Sequence, residues 1–304
     1  MKKYLLFLLF FGICSTFLSA QNKPVLVTVE WLKQHLNDPE VVILQTNALK
    51  WDYEREHIAG ARFLWPESLL PNSPDQGTFN IPDAKTATRV LRTLGINNNS
   101  HVVLCFVRNE VTVTSRLFLT LEQLGLRGRV SFLNGGLDAW KKAGYVVTQE
   151  NPSFKKGNFK AVLDDLVVDK DYVLQSLKTT EKVVVDARMK RFYDGEPSGL
   201  PRDGHIAGAL NIPFTDMVDS VNFFKPVEQL QGYFTPVVPD KQKEIVTYCF
   251  IGQTASVLYI AGRILGYQMK LYDGSMQEWS RKEELPMEKT KPEEKEPAKQ
   301  KGHP

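Results

Sequence analysis

Short apolar runs rich in β-branched residues alternate along the chain with segments whose apolar residues recur every three to four positions. The runs VVILQ from Val41, HVVLCF from His101 and KVVVDAR from Lys182 have the length and composition of buried strands. Helical segments separate them, for example ATRVLRTLG from Ala87. Strands that alternate with helices are joined by crossover connections. The pattern therefore predicts an α/β fold of open, mainly parallel sheets with helices on both faces.

The same series of elements occurs twice. Four markers recur in the same order: the pentapeptide HIAGA (residues 57–61 and 205–209), a β-branched run that reaches a cysteine (Cys105 and Cys249), a Leu-Gly pair after a helical segment (Leu124-Gly125 and Leu265-Gly266) and a tryptophan in the closing helix (Trp140 and Trp279). Four ordered markers indicate that the chain is two copies of one α/β unit.

Changes in composition divide the chain into five parts. Residues 1–20 form an apolar leader, and residues 24–148 form the first α/β unit. Residues 149–164 are polar with Pro and Gly, which is typical of a linker, and residues 165–286 form the second unit. Residues 287–304 alternate in charge and lack apolar periodicity, so they are predicted to be a disordered tail.

The leader MKKYLLFLLFFGICSTFLSA has two lysines, an apolar run of about a dozen residues and a small residue, Ala20, at its end. This pattern predicts a cleaved secretory signal peptide and an exported protein, either periplasmic or secreted. The alternative is a retained membrane anchor, but the run is shorter than the roughly 20 residues that a spanning helix needs. After cleavage we expect no association with a membrane.

Cleavage would also change the charge and the cysteine content. Loss of Lys2 and Lys3 lowers the formal net charge from +3 to +1, so nothing in the charge favours nucleic acid as a partner. Loss of Cys14 leaves Cys105 and Cys249, neither of which has a CxxC neighbour or a clustered histidine. We therefore expect no metal site, while a disulfide between these two cysteines stays open.

Cys249 follows the strand-like run EIVTY and precedes a helical segment that begins near Ala255. Ligands of open α/β sheets bind at the carboxyl ends of the strands, where this cysteine is expected. A short loop that contains Gly252 can turn backbone N–H groups inward, and the helix N-terminus adds its own donors. Such a ring favours an anion, so we expect a nucleophilic thiolate and stabilisation of a persulfide on Cys249.

These motifs resemble the tandem-domain rhodanese family, which includes thiosulfate and 3-mercaptopyruvate sulfurtransferases. The resemblance extends from about residue 27 to residue 286. The active-site loop of the family is matched by Cys249-Phe250-Ile251-Gly252-Gln253-Thr254, and the front of the catalytic unit is matched by VVVDARMKRFYDG and DGHIAGALNIPF. The segments LNGGLDAW and LYDGSMQEW match the closing signature of each unit.

The resemblance implies two tandem rhodanese-like domains, the first non-catalytic and the second catalytic. It also implies a ping-pong reaction without a cofactor: Cys249 takes the outer sulfur of a small-molecule donor and passes it from a persulfide to an acceptor. Acceptors of this kind are cyanide, a thiol or a protein cysteine. The alternative is a non-catalytic exported protein that keeps the fold for sulfide or redox sensing or for partner binding.

Substrate contacts are predicted on the same grounds. The family places arginines where Arg188 and Arg191 stand, to bind an anionic donor, although Arg191 is displaced by about one residue and either arginine could instead pair with a carboxylate. Asp186 is expected to orient Arg188. In the loop, Phe250 and Ile251 make an apolar mouth that disfavours a small dianion and favours a more hydrophobic donor or a protein acceptor.

Three residues invite other interpretations. His205 resembles a catalytic base, but His57 has the same surroundings in the unit without a glycine in its loop, so we expect hydrogen bonds to the backbone instead. Cys105 is expected to be a buried structural cysteine. Phosphate-ester cleavage by a cysteine cradle is strongly disfavoured, because Ala255 stands where that chemistry needs an arginine and the loop is one residue too short.

Overall fold

The computed structural model describes residues 23–71 and 80–290. The predicted signal peptide, residues 1–20, lies outside this part of the chain, as does residue 291 onward of the predicted tail. Within the described ranges no helix is both long and apolar enough to cross a bilayer.

The first domain forms a five-stranded parallel sheet with helices on both faces. Its elements in chain order are β1 Leu26–Val27, α1 Val29–Gln34, β2 Val41–Thr46, α2 Lys50–Arg55, β3 His57–Ile58, β4 Arg62–Leu64, α3 Ala84–Thr93, β5 His101–Phe106, α4 Val111–Leu121, β6 Val130–Leu133, α5 Gly136–Lys142 and β7 Val147–Thr148. The strand order in the sheet is β1-β6-β5-β2-β4, while β3 and β7 make a separate antiparallel pair.

The second domain repeats this architecture. Its elements are β8 Val167–Val168, α6 Lys170–Ser176, β9 Lys182–Asp186, α7 Lys190–Asp194, β10 His205–Ile206, β11 Leu210–Asn211, α8 Val227–Phe234, β12 Glu244–Tyr248, α9 Ala255–Ile264, β13 Gln268–Tyr272, α10 Ser275–Trp279 and β14 Met287–Glu288. The parallel sheet has the order β8-β13-β12-β9-β11, and β10 pairs antiparallel with β14. The predicted α/β class and the duplication are therefore confirmed.

The second domain ends later than predicted. Met287 and Glu288, which were assigned to the disordered tail, form β14 and pair with Ile206 and His205 of β10. The first domain has the same pairing between β3 and β7. The boundary at residue 286 was wrong because a two-residue strand is too short to show alternation in a sequence.

The predicted linker, residues 149–164, contains neither a helix nor a strand, but it is hydrogen-bonded to the first domain. It runs along α3, where the backbone of Gly157 donates to the carbonyl of Arg92 at 2.9 Å and Arg92 Nε donates to the carbonyl of Phe159 at 2.8 Å. Phe159 itself is buried in the core of the first domain. The linker therefore belongs structurally to the first domain.

The two domains share one apolar core. The helices α4 and α9 pack against each other between the sheets, and a single cluster of buried side chains runs from the first sheet through both helices to the second. The outer face of each sheet has its own smaller cluster, which contains Trp140 in the first domain and Trp279 in the second. Both tryptophans are buried.

Candidate active site

Cys249 lies at the carboxyl end of β12, the central strand of the second sheet. It is the first residue of the turn that leads into α9, and we call residues 249–254 the Cys249 loop. The side chain is fully buried and faces the core shared by the domains. Cys249 therefore lies at the carboxyl end of a parallel strand, where it was expected, and ligand binding at this edge stays a prediction.

The Cys249 loop is held to the sheet by the start of α10. The backbone N–H of Cys249 donates to Ser275 Oγ at 3.3 Å, and the carbonyls of Cys249 and Phe250 accept from the N–H groups of Met276 and Gln277 at 3.0 and 2.9 Å. Ser275 itself has a positive φ of 49°. These three bonds fix the direction in which the loop leaves the strand.

The remaining N–H groups of the loop are unused. Among the described residues no acceptor lies within hydrogen-bond range of the backbone N–H of Phe250, Ile251, Gly252, Gln253 or Thr254. Gly252 has a φ of +79°, a conformation that L side chains rarely adopt and that lets the chain reverse here. Consecutive unpaired donors next to the N-terminus of a ten-residue helix favour an anion in front of them.

Arg188 lies next to the Cys249 loop, but its side chain is buried and not exposed at the surface. Its side chain is 1% exposed and forms a buried ion pair with Asp186, in which Nη2 donates to Oδ2 at 2.6 Å and Nε is 3.0 Å from both carboxylate oxygens. Nη2 also donates to the carbonyl of Gly204 at 2.7 Å. The prediction that Asp186 orients Arg188 is therefore confirmed.

The charge environment of Arg188 includes the cysteine. Burial alone would lower the pKa of Arg188, but Asp186, with smaller contributions from Tyr248 and Cys249, raises it above its ordinary value. Nη1 of Arg188 is buried and has no hydrogen-bond partner among the described residues. A guanidinium that is permanently charged and has one unused nitrogen can bind an anionic group beside Cys249.

Arg191 is placed differently. It lies on α7 as an exposed side chain, with Cζ 4.5 Å from the ring centroid of its neighbour Phe192. The structure gives it no contact with the Cys249 loop. Its predicted role in donor binding therefore stays a prediction.

An aromatic pair stands at the mouth of the site. The rings of Phe250 and Phe192 are 5.2 Å apart at an interplanar angle of 76°, an edge-to-face contact, and Arg188 Cζ is 5.0 Å from the Phe250 centroid. Phe250 and Ile251 are each partly exposed. Their predicted contact with a substrate stays a prediction, and Phe192, which contacts Phe250, was not among the predicted residues.

The other two loop residues face inward or along the helix. Gln253 Nε2 donates to Thr112 Oγ1 of the first domain at 2.8 Å, so its side chain is engaged across the domain interface. Thr254 is the N-cap residue of α9, but its hydroxyl makes no capping hydrogen bond. Of the two, Thr254 keeps a side chain that is available to a substrate.

The strand register identifies the first-domain residue that occupies the place of Cys249. Gln45 of β2 and Asp186 of β9 are equivalent, because each pairs with the residue six positions after the histidine of HIAGA. Asp186 pairs with the residue before Cys249, whereas Gln45 pairs with Cys105, the residue before Phe106. Phe106, not Cys105, is therefore the structural counterpart of Cys249.

The strand register shows that Cys105 and Cys249, which were matched as equivalent markers of the repeat, are not structurally equivalent. Side chains alternate across a sheet, so an offset of one residue turns Cys105 to the opposite face. There it packs with Val103 and Trp140, and burial, aided by Asp138, raises the pKa of its thiol well above the ordinary value. Both cysteines are free thiols in the structure, and Cys105 is the buried structural cysteine that was expected.

The two histidines have the backbone role that was predicted. The Nδ1 of His57 donates to the carbonyl of Tyr53 at 2.8 Å, and the Nδ1 of His205 donates to the carbonyl of Tyr193 at 2.7 Å. Each imidazole stacks on the ring of the same tyrosine. They lie in β3 and β10, outside the main sheets.

The sequence analysis missed the partners that Gly252 has in the first domain and in the turn before α10. Arg116 of α4 is fully buried; its Nη1 donates to the carbonyl of Gly252 at 3.4 Å and its Nη2 is 2.6 Å from Oδ1 of Asp273. Burial raises the pKa of Asp273, against the opposing effect of Arg116. A single arginine in the apolar run TVTSRLFLTL was the available signal.

Metal ligation finds no support in the part of the chain that the structure describes. No group of three or more histidine, cysteine, aspartate or glutamate side chains is arranged to hold an ion there. The chemistry available at Cys249 is therefore that of a thiol surrounded by backbone donors and one buried arginine.

Comparison with known proteins gives a consistent result. The family model described as rhodanese-like domain matches residues 28–143 and 169–282, one match in each domain. The sulfur carrier protein TtuD of Thermus thermophilus is 30% identical over 281 residues, which cover 87% of this chain and 96% of that protein. The 3-mercaptopyruvate sulfurtransferase of Escherichia coli is 29% identical over 280 residues, covering 87% and 98%.

The structural comparison agrees with these matches. The crystal structure of SseA from Escherichia coli, a 3-mercaptopyruvate sulfotransferase with the rhodanese fold, superposes with a TM-score of 0.71 at 29% identity. The superposition covers 83% of this chain and 99% of SseA. The ergothioneine biosynthesis enzyme of Chlorobium limicola, at 21% identity, shares the fold, with a TM-score of 0.75.

Proposed function

Because this chain belongs to the rhodanese family and is a sulfurtransferase, we propose that it transfers sulfane sulfur through a persulfide on Cys249. The donors would be small anionic sulfur compounds of the thiosulfate or 3-mercaptopyruvate type. The acceptors would be cyanide, a low-molecular-weight thiol or a protein cysteine. The first domain would supply no nucleophile, since Phe106 stands where the second domain has its cysteine.

The reaction has two displacement steps at sulfur. With thiosulfate, the Cys249 thiolate attacks the outer sulfur, the S–S bond of the donor breaks, and sulfite leaves with the electron pair. The enzyme is left as Cys249–S–S⁻. An acceptor such as cyanide then attacks the terminal sulfur, the Cys249 S–S bond breaks, and thiocyanate leaves as the thiolate is restored. With thiosulfate no net proton transfer occurs in either step, which agrees with the backbone contacts of His57 and His205. With 3-mercaptopyruvate the thiolate attacks the donor sulfur, the C–S bond of the donor breaks, and the electron pair leaves as the enolate of pyruvate, which takes up the proton released by the donor thiol.

The observation that carries this proposal is the set of five unpaired N–H groups in the Cys249 loop. The negative charge stays on a sulfur atom at this position throughout the cycle, first on the thiolate and then on the terminal sulfur of the persulfide. Preorganised backbone donors stabilise such a charge without the cost of reorienting water. With thiosulfate a base would add nothing, because that donor has no proton to remove.

Arg188 is the residue that we assign to donor binding. Its unpartnered Nη1 is the one strong donor beside Cys249 that the Asp186 ion pair leaves unused. A sulfonate or carboxylate group on the donor would accept from it. Phe250 and Phe192 would contact the carbon chain of an organic donor, so we expect 3-mercaptopyruvate to be used more efficiently than thiosulfate.

A donor survey with mass spectrometry tests the proposed function. We expect Cys249 of the purified protein to gain one sulfur atom on incubation with 3-mercaptopyruvate or thiosulfate, and added cyanide to remove it as thiocyanate. The peptide that contains Cys105 serves as the internal control and should gain nothing. If neither donor adds sulfur to Cys249 and no thiocyanate forms, the fold serves sensing or partner binding instead.

We also propose that the protein is exported, on the evidence of residues 1–20 alone. Expression of the full chain in its source cells should give a periplasmic or secreted protein that begins at Gln21, as read by N-terminal sequencing. A Leu8→Asp variant, in which a charge interrupts the apolar run, should stay in the cytoplasm with its leader attached. A wild-type protein that keeps Met1 in the cytoplasmic fraction would exclude export.

A further inference from the structure

We propose that Arg116 of the first domain is a positioning residue for the Cys249 loop of the second. It would hold the Gly252 carbonyl so that the amides of the loop face the persulfide. The inference rests on the proposed function, because it assigns the amides their ligand. It also gives the first domain, which has Phe106 in the place of Cys249, a part in the reaction.

The burial of Arg116 is the first reason to assign it a role. Its side chain is 0% exposed and lies on α4 between the apolar side chains that fill the interface. A buried guanidinium is costly unless charged and polar partners surround it. Two of its partners, the Gly252 carbonyl and the Asp273 carboxylate, belong to the second domain.

Peptide geometry links this contact to the site. The C=O of Gly252 and the N–H of Gln253 belong to one planar trans peptide and point in opposite directions. Arg116 Nη1 and Ser256 Oγ both donate to the Gly252 carbonyl, at 3.4 and 3.0 Å, and hold it on the side of α4 and α9. The N–H of Gln253 must then point away from them, and it is one of the five unpaired donors.

Arg116 packs tightly against Gly252 of the Cys249 loop. A Cβ atom on Gly252 would lie 2.9 Å from Arg116 Nη1 and 3.1 Å from Asp273 Oδ1. One turn earlier on the same face of α4, Thr112 accepts a hydrogen bond from Gln253. The helix therefore contacts two successive residues of the Cys249 loop.

The same interface contains a second ion pair that serves as a matched control. Arg263 of α9 pairs with Glu122, which follows α4, and Tyr259 donates to that carboxylate at 2.7 Å. This pair crosses between the domains as Arg116 does. It differs in that neither Arg263 nor Glu122 has a contact with the Cys249 loop.

The test measures the steady-state kinetics of Arg116→Met, Arg116→Lys and Arg263→Met in the full chain. The donor is the one that adds sulfur to Cys249 of the wild-type protein most efficiently, and the acceptor is cyanide. We expect Arg116→Met to lower kcat by about tenfold to a hundredfold with KM within about threefold, since one backbone donor is misdirected. The lifetime of the Cys249 persulfide without acceptor should shorten in parallel. Arg263→Met should keep kcat within about twofold at a similar loss of thermal stability.

Arg116→Lys keeps a charge beside Asp273 and guards against a failure of Arg116→Met to fold. One ammonium group cannot span both partners as the guanidinium does, so we expect an intermediate kcat. Equal effects of Arg116→Met and Arg263→Met on kcat and persulfide lifetime would overturn the positioning role, as would wild-type values in Arg116→Lys and Arg116→Met. If the wild-type protein gains no sulfur at Cys249, the proposed function itself fails, which is a separate result.

Discussion

Replacement of Cys249 by alanine will abolish sulfur transfer. The variant has no atom that can attack a donor sulfur or carry the persulfide, and no other described thiol lies at the edge of a sheet where ligands bind. We expect turnover to fall by at least about a thousandfold, to the limit of detection, as for other enzymes that lose their nucleophile. Thiocyanate formation with cyanide in excess measures it directly.

Cys105→Ala is the matched control for that experiment. The register turns Cys105 to the outer face of the first sheet, and burial keeps its thiol protonated by raising the pKa well above its usual value. Turnover of this variant should stay within about twofold of the wild-type rate. If Cys105→Ala were inactive and Cys249→Ala active, the assignment of the two domains would be reversed.

The second large effect concerns stability. Asp186→Asn should lower the free energy of unfolding by about 3–5 kcal/mol, because it leaves the buried guanidinium of Arg188 without a counter-ion. An asparagine that fits the same space brings an NH₂ group toward the N–H groups of Arg188, so one of the hydrogen bonds is also lost. Urea unfolding followed by circular dichroism measures the change.

Asp194→Asn is the control for this prediction. Asp194 pairs with Lys190 at 2.8 Å on the surface of α7, where both side chains are substantially exposed. Loss of an exposed pair of this kind costs less than about 0.5 kcal/mol. Similar stability losses in the two variants would mean that the Asp186–Arg188 pair contributes no more than a surface contact.

The features that could be read from the sequence are those encoded locally. The β-branched runs, the apolar stripe of α9 and the HIAGA repeat each lie within a short window, and they were enough to predict the fold, the duplication and the start of α9 near Ala255. The Cys249 loop belongs to the same class, because its glycine and its length are visible in six residues. Local patterns therefore account for the position of Cys249.

The features that could not be predicted from the sequence depend on which strands and helices contact each other in the fold. The match of Cys105 with Cys249 looked natural because each is followed by phenylalanine, but equivalence is set by pairing with β2 and β9, which lie far away in sequence. Arg116 was missed for a similar reason, since its partners lie 136 or more residues away in the other domain. The burial of Arg188 likewise follows from its pairing with Asp186 at the end of β9.

The one-residue offset between Phe106 and Cys105 also bears on how this duplicated chain can evolve. Mutation of Phe106 to cysteine would put a thiol in the right place, yet the turn before α4, residues 107–110, is one residue shorter than residues 250–254 and has no glycine. A second centre would need a substitution, an insertion and a glycine together, and none of these helps alone. Single point mutations therefore cannot readily give the first domain a copy of the Cys249 loop.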